Sequence, residues 1–343
     1  MPDVKRCAWS ALFLLAACGG DGGTGPQPEP TIYAPIAATL DSAAAALDAE
    51  FSIAVARDGG IVFEHDTDIF VHSTGRAVPM ASAAKWLSGV VLMTLVSDGT
   101  LALDDSVAEF FPDAPADKRG ITLEQLMAHT SGLPANAPCV TSEFRTLQSC
   151  AAEILALPLR AEPGEAFYYG NASMQVAGAI AEIAAARTWE GLFADRVRMI
   201  LGMSNVSYNP GPNPIIAGGG LASARDYLRL LTMLLDDGFF GGRRVMSAAA
   251  IELMEQDHTG GARIDLSPHP DARRYGIGVW RDRVSSGEAV QLSSQGATGF
   301  SPWIDRERDL AAVITVENAD LAAVYAVVAR VQQQLRTIAD ANP

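Results

Sequence analysis

Hydrophobic positions near the start of the chain first recur at helical spacing and then alternate. Ile36, Leu40, Ala44 and Leu47 lie three or four residues apart, which predicts an amphipathic helix over residues 35–50. Residues 51–57 alternate, residues 58–60 have the composition of a turn, and residues 61–65 alternate again. This part of the chain therefore predicts a helix followed by a β-hairpin.

The middle of the chain is predicted to be almost entirely helical. Pro79 is a plausible first residue of the first of these helices, because proline is favoured in a first turn. Thr122 and Gln125 form a capping pattern at the start of another helix. The segments with helical periodicity are residues 77–98, 122–129, 150–157, 174–186, 189–201, 222–235 and 247–256.

The C-terminal part returns to strand patterns before a final helix. Its predicted strands are residues 275–283, 289–292, 300–304 and 310–316, and helical spacing resumes from Leu321 to Leu335. Strands at both ends with helices between them predict one sheet built from both ends of the chain. A helical lobe, roughly residues 100–260, is inserted between them, so the fold class is α/β (α+β).

Composition supports a large folded domain and argues against one class of partner. The 343 residues are 49% hydrophobic and 19% charged, with a net charge of −15. An acidic chain without a basic stripe does not suit nucleic acid, whose phosphates need clustered Lys and Arg. After the N-terminal segment, no apolar stretch in the sequence is long enough to cross a membrane.

The N-terminus has the pattern of a targeting segment. Lys5 and Arg6 precede an apolar run over residues 8–17, which is too short to span a bilayer. Residues 15–18, ending in Cys18, look like the cleavage box of bacterial lipoproteins. That resemblance implies a signal peptide over residues 1–17, lipidation of Cys18 and a flexible Gly- and Pro-rich tether over 18–33. The protein would be exported and lipid-anchored in the envelope, facing the periplasm; an ordinary secretory signal is the alternative.

Two cysteines remain in the predicted exported part. Cys139 and Cys150 lie close in sequence, and an oxidising compartment favours a disulfide between them. The alternative is a pair of free thiols.

Ser82 and Lys85 are the first candidates for chemistry. Three residues apart on a helix, they would share one face at its N-terminus. A desolvated lysine amine can accept the proton of a serine hydroxyl, and free N–H groups at a helix start stabilise negative charge. The alternative is a helix start with an exposed lysine.

Two later segments offer complementary groups. Tyr169 would act as base and then acid, since a nearby lysine ammonium favours its phenolate, and Asn171 can accept from Lys85 and donate to a substrate carbonyl. Residues 294–300 are Gly-rich and lie between two strands, where a backbone N–H can face an oxyanion. Taken alone, the first segment also fits packed tyrosines with a helix cap, and the second also fits an ordinary turn.

The three segments, in this order, resemble the serine β-lactamase and penicillin-binding-protein superfamily. Ser82-Ala83-Ala84-Lys85 matches its Ser-x-x-Lys motif, and Tyr169-Gly170-Asn171 matches the Tyr-x-Asn of the class C branch and its related esterases and D-aminopeptidases. Residues 126–134 and 218–226 resemble further family segments. The resemblance covers residues 36–335 and implies a single catalytic domain over about 34–340.

The resemblance implies a fold and a mechanism. The sheet would be antiparallel with helices on both faces, and the site would lie in a cleft beside the helical lobe. Ser82 would attack a carbonyl, Lys85 and Tyr169 would move its proton, and Asn171, Ser294 and Gly296 would bind the substrate. The oxyanion hole would be formed by the backbone N–H groups of Ser82 and Ala297. Which of Lys85 and Tyr169 is the principal base stays open.

No cofactor or metal is implied by the resemblance. The histidines also lack metal-ligand spacing, and we interpret them as structural or surface residues. These histidines are His65, His72, His129, His258 and His269. The expected partner is a small ester or amide, with the membrane reached only through the lipid anchor at Cys18.

One departure from the family pattern bears on the substrate. The third family motif is usually Lys-Thr-Gly or His-x-Gly, whereas this chain has Ser294-Gln295-Gly296. Loss of a charge-assisted contact of ~1.5–3 kcal/mol would disfavour substrates that carry a carboxylate. We therefore expect an esterase-like enzyme for uncharged substrates, unless Arg273 or Arg274 replaces the missing lysine. The alternatives are a β-lactamase, a D-Ala-D-Ala carboxypeptidase or D-aminopeptidase, and a non-catalytic binder of cell-wall fragments.

Overall fold

The computed structural model of the chain describes residues 31–68, 73–269, 274–317 and 320–343. The predicted signal peptide, Cys18 and nearly all of the predicted tether lie outside the described residues. His72 and Arg273 lie outside them as well.

Helices and strands are labelled here in chain order. The helices are α1 (Ala34–Leu47), α2 (Ala84–Ser97), α3 (Val107–Phe110), α4 (Leu123–Met127), α5 (Leu147–Leu155), α6 (Ala172–Ala185), α7 (Trp189–Phe193), α8 (Met199–Leu201), α9 (Ala224–Leu235), α10 (Ala248–Glu255) and α11 (Leu321–Ala341). The strands are β1 (Phe51–Arg57), β2 (Gly60–Asp66), β3 (Val78–Pro79), β4 (Ala166–Tyr168), β5 (Val206–Ser207), β6 (Leu221–Ala222), β7 (Phe239–Phe240), β8 (Arg243–Arg244), β9 (Arg263–Leu266), β10 (Trp280–Ser285), β11 (Glu288–Ser293), β12 (Ser301–Asp305) and β13 (Leu310–Val316).

A six-stranded antiparallel sheet joins the two ends of the chain, as the sequence predicted. Its strand order is β10-β11-β12-β13-β1-β2, and β1 pairs along its whole length with β13, from Phe51 opposite Val316 to Arg57 opposite Leu310. The β1–β2 hairpin turns at residues 58–59, where the sequence places Asp-Gly. The fold class and the antiparallel sheet are confirmed.

Helices cover both faces of this sheet because side chains along each strand alternate between the two faces. Ile53 and Val55 of β1 join a core cluster with residues of α1 and α11, including Leu40 and Val328. Ala54 and Ala56 belong instead to the larger core cluster that contains α2 and α9. Helix α2 is buried from Ala84 to Leu95, so its position is fixed by packing on all sides.

Two predicted boundaries next to the site are wrong. Pro79 does not begin a helix, because it pairs with Leu221 in the short β3–β6 ladder, and α2 begins only at Ala84 after a 3₁₀ turn over Ala81–Ala83. The strand predicted from residue 275 begins at Trp280. Gly276 N donates to the Val279 carbonyl at 2.9 Å and Gly278 has a φ of 78°, so a tight turn occupies the first residues of the predicted strand.

Several helices agree with the sequence, and one contains an irregularity. Thr122 and Gln125 form the predicted capping box of α4, each side chain bonded to the other residue's backbone N–H. The helix predicted over 189–201 is divided by a π-helical turn at Ala194–Arg198. The parallel β4–β9 pair was not predicted, since its strands have only three and four residues.

Cys139 and Cys150 form the predicted disulfide, which joins the 3₁₀ turn Pro138–Thr141 to α5. Across the ranges that the structure describes, no helix has both the length and the apolarity to cross a membrane. The same ranges contain no group of three or more His, Cys, Asp or Glu side chains arranged to hold a metal ion.

Candidate active site

Ser82 and Lys85 meet at the start of α2. Ser82 lies half-buried in the 3₁₀ turn, and Lys85, one turn later, is 1% exposed. The Lys85 Nζ donates to Ser82 Oγ at 3.2 Å and to the Ala217 carbonyl at 2.8 Å. Ala81, directly before Ser82, has a φ of 44°, which is rare for a residue with a side chain. The predicted contact between Ser82 and Lys85 is therefore present.

The buried amine of Lys85 has the properties of a general base. Removal from water disfavours its charged form, and this burial lowers the pKa of Lys85 to about 7. At neutral pH a substantial fraction of the amine is therefore unprotonated and can accept the proton of Ser82. Its nitrogen also lies 4.6 Å from the ring centre of Tyr169, so the three predicted catalytic side chains form one cluster.

Tyr169 is held by the segment that follows it. The backbone N–H groups of Asn171 and Ala172 both donate to the Ala135 carbonyl, at 2.7 and 3.0 Å. A Cβ atom at Gly170 would lie 2.0 Å from that same carbonyl oxygen, so the close approach requires glycine. This contact fixes the direction in which the chain leaves Tyr169 for α6.

The prediction that Lys85 favours a phenolate at Tyr169 is wrong. Burial is the largest influence on the phenol and raises the pKa of Tyr169 to about 12, although hydrogen bonds with the Ser82 and Trp280 side chains lower it. The phenol is thus protonated at neutral pH. It is suited to passing on a proton, while Lys85 is suited to accepting one.

Asn171 does not contact Lys85 as predicted. Its Nδ2 donates to Asn136 Oδ1 at 2.8 Å, and within the described residues the Lys85 amine bonds to Ser82 and Ala217 instead. The Ala217 carbonyl was missed by sequence reasoning because a backbone acceptor leaves no mark in residue identity. The one indication in the sequence that this segment lies near Lys85 was the resemblance of residues 218–226 to a family segment.

The third motif packs against the backbone around the nucleophile. Ser294 is fully buried, and its Oγ donates to the Ser82 carbonyl at 3.1 Å. Thr298 Oγ1 donates to the Pro79 carbonyl at 2.7 Å, and a Cβ at Gly296 would lie 2.1 Å from the Met80 carbonyl. Ser294, predicted to bind substrate, therefore fixes the motif to the nucleophile instead.

Ala297 is exposed at this point of the motif. Within the described residues, no protein group accepts a hydrogen bond from its backbone N–H. The adjoining Gly296 packs against Met80 in the turn that leads to Ser82, so an unpaired N–H at Ala297 is available as a donor of the predicted oxyanion hole.

Arg274, one of the two arginines considered as replacements for the missing lysine, lies beside an acidic side chain. Its Nε lies 3.5 Å from Asp257 Oδ2, so its charge is already paired. It also lines a cavity of about 390 Å³ together with Phe167, Thr259 and Arg281.

His129 is a site neighbour that sequence reasoning placed among structural or surface residues. It is buried with a φ of 60°, and its ring centre lies 4.8 Å from that of Tyr169. Burial, with the charge of Lys85 as a second cause, lowers the pKa of His129 well below its usual range. A neutral imidazole therefore packs against the phenol. His65 and His258 lie elsewhere, paired with Asp41 and Glu124.

The titration of Lys85 predicts the pH dependence of any reaction at Ser82. We expect kcat/KM for an uncharged ester to rise about tenfold per pH unit below pH 7 and to level off above it, because the amine must lose its proton to act as base. Initial rates from pH 5 to 9 test this, with circular dichroism at each pH as a control for folding. A rate that is flat from pH 5 to 8, or that falls with pH, would contradict the assignment of Lys85 as base.

Comparison with known proteins gives a family match. A family profile described as Beta-lactamase matches residues 41–335. In sequence, the chain is 28% identical over 254 residues to penicillin-binding protein 4 of Amycolatopsis lactamdurans, a match that covers 61% of this chain and 65% of that protein. The chain spans less than two thirds of the length of the first relatives that it matches in sequence, with coverages of 62% to 65%.

Solved structures show the same fold. A candidate beta-lactamase from Bacteroides dorei superposes with a TM-score of 0.75 at 29% identity, covering 83% of this chain and 90% of that one. EstCE1, described as a hydrolase with promiscuous acyltransferase activity, superposes with a TM-score of 0.71 at 18% identity. That match covers 90% of this chain and 98% of EstCE1, and at this identity it speaks for the fold alone.

Proposed function

The chain belongs to the beta-lactamase family, and from this premise we propose that it is a serine hydrolase that cleaves uncharged esters through an acyl-enzyme at Ser82. The observation that carries the proposal is the buried amine of Lys85, 3.2 Å from Ser82 Oγ and with its pKa lowered to about 7. A purely binding protein would gain nothing from a desolvated lysine beside a serine hydroxyl.

In the proposed acylation, the proton of Ser82 Oγ passes to the neutral Lys85 amine as the oxygen attacks the ester carbonyl carbon. The resulting oxyanion accepts hydrogen bonds from the N–H groups of Ser82 and Ala297. The carbonyl then re-forms, the bond to the alcohol oxygen breaks, and the proton from Lys85 reaches that oxygen through the Tyr169 phenol. Water attacks the acyl-enzyme by the same route in reverse, which releases the acid and restores Ser82.

The surroundings of the site support an uncharged substrate. The hydroxyl of Ser294 is already bonded to the Ser82 carbonyl, and Arg274 is paired with Asp257. Leu266, 47% exposed, lies beside Tyr169, whose backbone N–H donates to the Leu266 carbonyl at 2.9 Å. The Lys85 amine lies next to Ser82 Oγ, but the proposed mechanism needs it for proton transfer. An apolar acyl or alcohol group suits such a site better than a carboxylate.

A β-lactamase or D-Ala-D-Ala peptidase is the second candidate. The relatives named as a penicillin-binding protein and a candidate beta-lactamase favour it. It requires a cation other than the third-motif lysine to bind the substrate carboxylate.

We also propose that the protein is exported and anchored by lipid at Cys18. The disulfide between Cys139 and Cys150 supports this location, because such bonds form and persist in oxidising compartments.

The decisive experiment compares two substrates on purified protein that lacks the residues before Gly19. We expect kcat/KM for p-nitrophenyl butyrate to exceed that for a chromogenic cephalosporin by about tenfold to hundredfold, since the cephalosporin carboxylate finds no charged partner. The Ser82→Ala variant controls for background hydrolysis. Faster cleavage of the cephalosporin than of the ester would favour a β-lactamase or peptidase. If the folded protein hydrolysed neither substrate, the esterase proposal would be contradicted.

A further inference from the structure

A tyrosine outside the three motifs contacts the oxyanion segment. Tyr325 lies on α11, more than twenty residues after the third motif, and is half-buried. Its hydroxyl donates to the Gly296 carbonyl at 3.2 Å. The rest of α11 packs its apolar residues, such as Val328 and Leu335, against the sheet and α1. Tyr325 therefore connects this structural helix to the active site.

The Gly296 carbonyl belongs to the peptide group whose N–H, on Ala297, is the proposed donor to the oxyanion. The carbonyl of Gly296 and the N–H of Ala297 are the two ends of one planar peptide unit. A donor that holds the carbonyl oxygen therefore also fixes the direction of the Ala297 N–H. It withdraws electron density from the peptide unit as well, which makes that N–H a stronger donor.

The same carbonyl has a second donor. Gly299 N donates to the Gly296 carbonyl at 2.9 Å, and Gly296 N donates to the Phe300 carbonyl at 2.8 Å. These two bonds close the turn, but both come from within it and move with it. Tyr325 is a donor to this peptide unit from another element, so it ties the orientation of the unit to the packed helix.

We propose that Tyr325 is a positioning residue of the oxyanion hole, acting through the Gly296–Ala297 peptide unit. The inference rests on the proposed function, since it gives the Ala297 N–H a role that only an acyl-transfer reaction uses. The hydroxyl would matter most when negative charge develops on the substrate oxygen, and little when the neutral ester binds.

The proximity of the two phenols agrees with this placement. Charge repulsion from Tyr325 contributes to the raised pKa of Tyr169, after burial. Tyr325 thus lies close to the catalytic cluster, although its bonding partner is the oxyanion segment.

The test is the variant Tyr325→Phe, which removes the hydroxyl and keeps the ring. We expect kcat for p-nitrophenyl butyrate to fall by about threefold to tenfold while KM changes by less than about twofold, because the lost contact acts in the transition state. Phenylboronic acid, which forms a tetrahedral adduct with an active serine, should bind more weakly by the same factor as kcat. The pH midpoint of activity should stay where it is in the wild type.

Tyr33→Phe is the matched control, because Tyr33 precedes α1, the helix that packs against α11, and its ring stacks on Phe63 away from the site. An unchanged kcat in Tyr325→Phe, an equal loss in Tyr33→Phe, or a loss confined to KM would overturn the inference. Failure of the proposed function is distinguishable, since the wild type itself would then show neither ester turnover nor boronate binding.

Discussion

Replacement of Ser82 by alanine is expected to lower kcat for p-nitrophenyl butyrate by about 10⁴-fold or more, because no other group can form the acyl-enzyme. The protein should stay folded. Ser82 is only half-buried, and the change removes one hydroxyl whose contacts are the Lys85 amine and the Tyr169 phenol.

Single-turnover and steady-state rates, with melting temperatures measured in parallel, check this prediction. Ser42→Ala is the matched control, since Ser42 is exposed on α1 and its hydroxyl donates to the Ala38 carbonyl one turn away. Turnover of more than about one percent in Ser82→Ala would contradict a serine mechanism.

Replacement of Lys85 by methionine is expected to abolish activity and to stabilise the protein. The rate should fall by at least about 10³-fold, because the base is lost. Stability should rise because the wild-type fold buries the Lys85 amine, and burial disfavours its charged form. The folded-state pKa is about 7 against an ordinary 10.5, so the unfolded chain holds a proton that the folded protein releases between these values.

The sign of the stability effect follows from this difference. In the wild type, burial of the protonated Lys85 amine lowers the free energy of unfolding, and this loss of stability is largest below pH 7. As pH increases from about 7 to 10.5 the loss becomes smaller, so the free energy of unfolding rises. Methionine removes the penalty, although the Ala217 carbonyl loses its donor, which costs about 1–3 kcal/mol. We expect a net gain of ~2 kcal/mol at pH 7 that shrinks towards pH 10.

Urea unfolding at pH 7 and pH 9.5 measures this gain. Lys118→Met is the matched control: Lys118 is also buried, at 4% exposed, but its amine bonds to Asp117 at 2.6 Å. Removal of the Lys118 amine should not increase the free energy of unfolding at either pH. A Lys85→Met protein that is less stable than the wild type at pH 7, or that retains a few percent of activity, would contradict the prediction.

The parts of the site that the sequence predicted are those set by local geometry. Ser82 and Lys85 share one turn, so their spacing alone brings them together. The Asp-Gly turn of the β1–β2 hairpin and the capping box at Thr122 are likewise determined by neighbouring residues. The family resemblance then supplied the order of the three motifs, and with it Tyr169.

What the sequence did not predict depends on contacts between distant segments. Pro79 lies in a strand because Leu221, far along the chain, pairs with it. The Ser294 hydroxyl points to the Ser82 backbone, which its identity could not reveal. The pKa of Tyr169 follows from burial beneath several elements, and burial outweighed the expected influence of the lysine.

The pairing of β1 with β13 has a consequence for how the protein is made. Phe51 and Val316 are partners although 316 − 51 = 265 residues separate them along the chain. A ribosome that has synthesised β1 and β2 must complete almost all of the remaining strands and helices before β1 gains its second neighbour.

During that interval the outer edge of β1, which is rich in apolar residues, stays unpaired, and an unpaired strand edge can associate with other chains. The third motif lies between β11 and β12, near the C-terminal end of the chain, so the nucleophile and its oxyanion segment also come together late. Pairing between such distant strands slows folding, and a chain that lacks β13 has neither the complete sheet nor the complete site.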